Sequence, residues 1–300
     1  MSYTYKVKNE IIKKSNYTTK EKVAELRGIL EVKNAILKDR IELKLESIEL
    51  ANRVYRILKE VTNLKINVKY LVSMHFGEHK TYVITIEKQN GFKDLLNILE
   101  TCNEDKLIED EEKRVGFIRG LFLMTGYIKS PEKEYALDFF IDNIEIAEEL
   151  FRVFEKLHKK VFITDKRKKK LVYFRNSEDI LDVLVMLGAI KEFYKYEETT
   201  MMKDLKNKTI REMNWEVANE TKSLNTGLKQ IRMVNYIGAN LGLNNLTPVL
   251  EEIAFLRLKN PEASLQELAQ MIGISKSGIR NRFRRIETIY NELLKETEKE

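Results

Sequence analysis

Apolar residues fall two apart at Ile41, Leu43 and Leu45, and again at Leu137, Phe139 and Ile141. Side chains along a strand alternate between its faces, so each run predicts a half-buried strand. A helical pattern precedes each one, Leu26–Ile36 and Ile118–Ile128, at an offset of 92 residues. Another follows, Ile48–Leu58 and Ile144–Phe154, at an offset of 96. Strand-like runs come next, Ile66–Val72 and Tyr82–Glu87 in the first copy, Val161–Thr164 and Leu171–Arg175 in the second. A helix around Phe92–Leu99 or Glu178–Leu187 closes each copy. This repeated order predicts an α+β domain with pseudo-twofold symmetry over residues 1–198, its copies at about 20–105 and 112–198.

Gly28 and Gly120 sit at matching places in the first helix of each copy. A glycine inside a helix costs about 0.5–1 kcal/mol relative to alanine, so a repeated one calls for a reason. Close approach of the two helices across the pseudo-dyad supplies it. Residues 199–246 read as a polar helical linker, with apolar positions at Leu224, Leu228, Ile231 and Val234.

Residues 247–300 read as an all-α module. Thr247-Pro248 has the form of a helix N-cap followed by proline at the first helical position, and Asn260-Pro261 stops that helix. Ser264-Leu-Gln-Glu267 has capping-box spacing. Gly273 suits the positive φ of a helix end, and Ser275 caps a third helix with an apolar stripe at Ile279, Phe283 and Ile286. Counting from Leu265, Ala269 is fifth, Gly273 ninth and Ile279 fifteenth. A helix-turn-helix needs a small residue, a glycine and an apolar anchor at those places. In that register Lys276, Ser277, Arg280, Asn281 and Arg284 face outward, while Arg282 and Arg285 flank them. Ser275, Ser277 and Asn281 would help read base edges; Lys276, Arg280, Arg282, Arg284 and Arg285 would neutralise phosphates.

Charge sharpens this picture. The 300 residues carry a net +6, and residues 247–300 sum to zero, yet Gly273–Ile286 holds five bases and no acid. A local +5 on one short segment fits a polyanionic partner, double-stranded DNA. No run approaches the roughly 18–20 apolar residues of a membrane span, and the first residues show no export signal, so the cytoplasm and its nucleoid are the expected location. Cys102, the one cysteine, has no internal partner. No phosphate loop, dinucleotide fingerprint or hydrolase elbow is present, so no cofactor or small-molecule ligand is expected. His75 and His79 have helical i, i+4 spacing but lie in a strand-and-loop pattern with no third ligand nearby, so no metal is expected. Lys166-Arg-Lys-Lys-Lys170 reads as a solvated hairpin turn, with a secondary phosphate contact as the alternative.

Three segments share a common likeness. They are Phe117-Ile-Arg-Gly-Leu-Phe-Leu-Met-Thr-Gly-Tyr-Ile128 with Ser130-Pro131-Glu132; Asn214 with Ala218-Asn219, Lys222-Ser223 and Gln230; and Leu256–Leu268 followed by Ser275–Ile279 and Arg284-Arg-Ile286. Together they resemble the WhiA family of bacterial sporulation and cell-division regulators. The resemblance implies a degenerate homing-endonuclease (LAGLIDADG) domain joined to a helix-turn-helix. It also implies a sequence-specific transcription regulator of cell division, chromosome segregation or sporulation. LAGLIDADG nucleases hold metal with an acid at the end of each motif helix; aligned on Gly28 and Gly120, those places carry Lys33 and Thr125. A lysine repels Mg²⁺ and a threonine brings no charge, so no enzyme activity is expected. The outward strand positions Glu42, Lys44, Glu46, Asp138, Phe140 and Asp142 are acidic on balance, which opposes duplex binding there and favours a protein partner on the N-terminal domain. The alternative function is therefore an interaction scaffold whose DNA binding is secondary.

Overall fold

A computed structural model of the chain describes residues 2–73 and 79–297. His75 lies outside the described residues. The chain forms two compact units, Met1–Lys203 and Asp204–Glu300.

The first unit opens with α1 (Tyr3–Lys13) and contains the two copies in turn. The first is α2 (Thr19–Val32), β1 (Arg40–Leu45), α3 (Ile48–Val61), β2 (Asn67–Ser73), β3 (His79–Glu87) and α4 (Phe92–Glu100). After a short α5 (Glu104–Glu109), the second is α6 (Glu111–Thr125), β4 (Gly126–Ile128), β5 (Leu137–Ile141), α7 (Ile144–Lys156), β6 (Phe162–Lys166), β7 (Lys169–Phe174) and α8 (Ser177–Leu187). Both sheets are antiparallel, with strand orders β1-β3-β2 and β4-β5-β7-β6. Leu43 stands opposite Ile84, and Phe139 opposite Val172, so the alternating apolar sets line one face of each sheet and enter one core with the helices.

At the centre α2 and α6 cross at backbone distance. A Cβ added to Gly28 would lie 2.8 Å from the Phe117 carbonyl oxygen, and one at Gly120 would lie 2.3 Å from that of Glu25. The glycines are there because a side chain would force the helices apart. The arginine that precedes each of them reaches across the dyad. Arg27 holds Glu149 through two bonds of 2.7 and 2.8 Å, and Arg119 donates to Glu21 at 2.7 Å and Glu25 at 3.4 Å. Glu25, fully buried, also takes two bonds from Arg53 at 2.5 and 2.8 Å. Each buried charge thus has a partner, the condition for tolerating it in a core.

The acidic reading of the sheet faces needs correction. Asp138 is buried and bonded to Arg175 at 2.7 Å. Asp142 pairs with Lys169 at 3.2 Å, and Glu42 with Arg40 at 3.2 Å and Lys44 at 3.3 Å. Counting outward positions strand by strand left out Arg40 at the start of β1 and the bases Lys169 and Arg175 that come from β7 and its end. The basic run 166–170 turns between β6 and β7, with Arg167 at φ +60°.

The helix α9 (Ile190–Asn240) begins in the first unit and ends in the second. The segment read as a linker also builds the second core, to which it gives Met233, Val234 and Ile237. That core is completed by α10 (Pro248–Lys259), α11 (Leu265–Met271) and α12 (Lys276–Thr297). No helix among the described residues is long and apolar enough to cross a membrane.

Candidate nucleic-acid interface

The second unit positions α12 through a chain of local contacts. At the start of α11 the Ser264 hydroxyl accepts from the Glu267 N–H at 3.2 Å, while the Glu267 carboxylate accepts from the Ser264 N–H at 2.7 Å. That backbone bond holds the Glu267 carboxyl below its usual range. Ala269 is buried where α11 meets α12. Gly273 then adopts φ +69°, a conformation that L side chains rarely take, and the Ile274 N–H returns to the Ala269 carbonyl at 3.0 Å. The Ser275 hydroxyl caps α12 by accepting from the Gly278 N–H at 3.1 Å, and it lies 2.9 Å from the Ser277 hydroxyl. Thr247, by contrast, starts α10 in cap geometry without a side-chain cap bond.

Ile279, Phe283 and Ile286 pin α12 to the core with Leu250, Ile253, Ala254 and Leu268. At about 100° per residue, Ser277, Asn281 and Arg284 then lie on the opposite face. Ser275, Lys276, Ser277, Arg280, Asn281, Arg284 and Arg285 are all exposed. None of Lys276, Arg280, Arg284 and Arg285 has a carboxylate partner among the described residues. Arg282 differs: it is half-buried and donates to Glu252 of α10 at 3.2 Å. Its charge is already engaged within the protein, which the helical register alone did not reveal.

Arg257 is a residue that sequence reasoning missed. It is almost fully buried and donates to the carbonyls of Asn260 at 3.3 Å, Pro261 at 3.4 Å and Ala263 at 2.5 Å. Its guanidinium lies 5.6 Å from the Phe283 ring centre, and burial pulls its pKa down from the ordinary arginine value. It ties the α10–α11 loop to α12. The available signal was its place on the buried stripe Leu250, Ile253, Ala254, Arg257, where a base looked like an ordinary last-turn residue.

In the first unit, the places where LAGLIDADG acids would stand hold Lys33, exposed at the end of α2, and Thr125, whose hydroxyl donates to the Leu121 carbonyl at 2.8 Å. Glu31, two residues from Lys33, is ion-paired with Arg27 at 2.9 Å, and burial raises its pKa.

Comparison with known proteins bears on both units. Residues 210–290 match the WhiA C-terminal HTH domain, and residues 26–116 and 114–206 match the WhiA LAGLIDADG-like domain. The chain belongs to the WhiA family. Among its WhiA relatives is a "Probable cell division protein WhiA" of Clostridium botulinum (strain Hall), 32% identical over 311 residues, with 98% of this chain and 99% of that one covered. The WhiA protein of the same name from Clostridium novyi (strain NT) is also 32% identical, with 99% of each chain covered. The crystal structure of full-length WhiA from Thermatoga maritima has the same fold, with a TM-score of 0.58 at 23% identity over 97% of this chain and 98% of that one. The WhiA match takes in both the α+β repeat and the helix-turn-helix, as the sequence led us to expect.

Proposed function

We propose that this chain is a sequence-specific, double-stranded DNA-binding transcription regulator of cell division, chromosome segregation or sporulation, without nuclease activity. One observation carries the proposal: Lys276, Arg280, Arg284 and Arg285, four cations with no carboxylate partner among the described residues, stand on the exposed side of a helix whose other side is locked into a core. The DNA backbone is a line of negative charge, and each phosphate neutralised releases a counterion. Ser277 and Asn281, exposed between those cations, offer hydroxyl and amide groups to base edges. The relatives' names, which print "cell division protein", support the physiological setting. Lys33 and Thr125 at the LAGLIDADG acid positions support a role without strand cleavage.

The test is duplex affinity measured by fluorescence anisotropy across a salt series. Arg284→Ala combined with Arg285→Ala is expected to weaken binding to every sequence and to lower the log–log salt slope by about 1–2. An unchanged slope and affinity in that variant would refute the assignment.

A further inference from the structure

A cleft of about 850 Å³ lies within the second unit, between the C-terminal half of α9 and α12. From α9 it is lined by Trp215, Asn219 and Lys222, and from α12 by Lys276, Arg280 and Arg284. The α9 residues recur at spacings of three and four, so they form one helical face. The α12 residues, each four apart, also share one face. Three of the four cations assigned above to DNA therefore look into a trough with a second wall.

Its charge is unbalanced. Among the described residues the one acid lining it, Glu287, is held by Lys229 at 2.6 Å. Lys222, Lys276, Arg280 and Arg284 have no carboxylate partner among the described residues. Four like charges converge on one space, which favours an anion with several negative groups. Both walls are helices anchored to one core. Met233, Val234 and Ile237 fix α9 to the core that holds α12. At Gly227 the helix passes so close to the α10–α11 loop that a Cβ would lie 3.0 Å from the Pro261 carbonyl oxygen.

We propose that this cleft takes the sugar-phosphate backbone of the duplex that α12 reads, with Lys222 and Asn219 of α9 as the second wall. The inference rests on the DNA-binding reading, because Arg280 and Arg284 serve both surfaces. Ammonium and amide donors that are not aimed at a base edge suit phosphate oxygens, which fix register without reading sequence.

Trp215, the chain's single tryptophan, is exposed and lines the cleft, so its fluorescence reports occupancy. The experiment uses the full chain. Lys222→Ala replaces an exposed helical residue by the best helix former, so folding is retained. Lys206→Ala is the control: Lys206 is exposed and lies about 160° around α9 from Lys222. Titration with duplex is expected to change Trp215 emission to saturation. Lys222→Ala should lower the salt slope by about 0.9 and weaken binding about fivefold near 0.15 M salt, while Lys206→Ala leaves both unchanged. If Lys222→Ala matches the parent while the Arg284/Arg285 double variant loses slope, the second wall is refuted and the DNA reading stands. If neither loses slope, the DNA reading itself falls. Equal losses in Lys206→Ala and Lys222→Ala would mean a diffuse field and no contact in the cleft. A saturable Trp215 response to inorganic pyrophosphate at constant ionic strength, without DNA, would assign the cleft to a small anion and overturn the proposal.

Discussion

Gly120→Ala tests the central crossing of the first unit. The added Cβ would meet the Glu25 carbonyl oxygen at 2.3 Å, its carbonyl carbon at 3.1 Å and its Cα at 3.2 Å. All three are backbone atoms of α2, so no side chain can swing away to relieve the clash. Ordinary contact begins at 3.4 Å, so α2 and α6 must separate by roughly 1 Å at this point. Leu26, Ile29, Phe117 and Leu121 pack around the crossing with essentially no exposure. A radial gap of about 0.5–1 Å forfeits a quarter to a half of each contact it opens. Overpacking of this kind costs about 1–3 kcal/mol, sometimes more, and here it also stretches the Arg119–Glu25 pair, already at 3.4 Å. The helix-propensity gain of alanine over glycine returns about 0.5–1 kcal/mol. The expected net loss is about 1–2.5 kcal/mol, a sizeable share of a stability of about 5–15 kcal/mol. Gly28→Ala, whose Cβ would lie 2.8 Å from the Phe117 oxygen, needs a smaller shift and should lose about half as much. Urea unfolding followed by far-UV circular dichroism measures both. A Gly120→Ala protein as stable as its parent, or less destabilised than Gly28→Ala, would refute the account of the crossing.

Two further perturbations probe the buried charges. Glu25→Ala leaves Arg53 and Arg119 without their shared carboxylate in a closed core, and should cost about 3–5 kcal/mol in urea unfolding; a loss under about 1 kcal/mol would show that the guanidiniums find water or other partners. Burial first, and then the charge of Lys33, pull the Lys8 pKa down to about 8 from its ordinary value of 10.5. Between those values the unfolded chain binds more protons than the folded one, so stability rises with pH across the window and is lost again as pH falls towards 8. Lys8→Met should flatten that rise in unfolding experiments between pH 8 and 10.5; an unaltered rise would assign it to another group.

Patterns of side chains carried much of this architecture, and partners across space carried the rest. Leu43 and Phe139 announced their strands because a half-buried strand repeats every two residues. Gly28 and Gly120 announced the crossing because close approach of two helices gives a matched pair its reason, where two unrelated tolerated glycines would have none. Ala269, Gly273 and Ile279 located the helix-turn-helix because steric demands at three places leave little choice of residue. By contrast α1 was missed: only Val7 and Ile11 of its eleven residues are buried, too few to mark a period. Asp138 looked outward by alternation, yet Arg175 sits one strand away and covers it. Arg282 looked free for the same reason, since Glu252 is 30 residues distant in sequence. Lys222 and Asn219 stood out only through a family likeness, and their place opposite Arg280 is a property of packing.

The salt dependence of duplex binding by the intact chain tests the central claim most directly. With Lys276, Arg280, Arg284 and Arg285 each neutralising a phosphate, the logarithm of affinity should fall against the logarithm of salt concentration with a slope of about −3.6 or steeper. A slope near zero would contradict the account, because no arrangement of exposed guanidiniums on a polyanion is indifferent to salt.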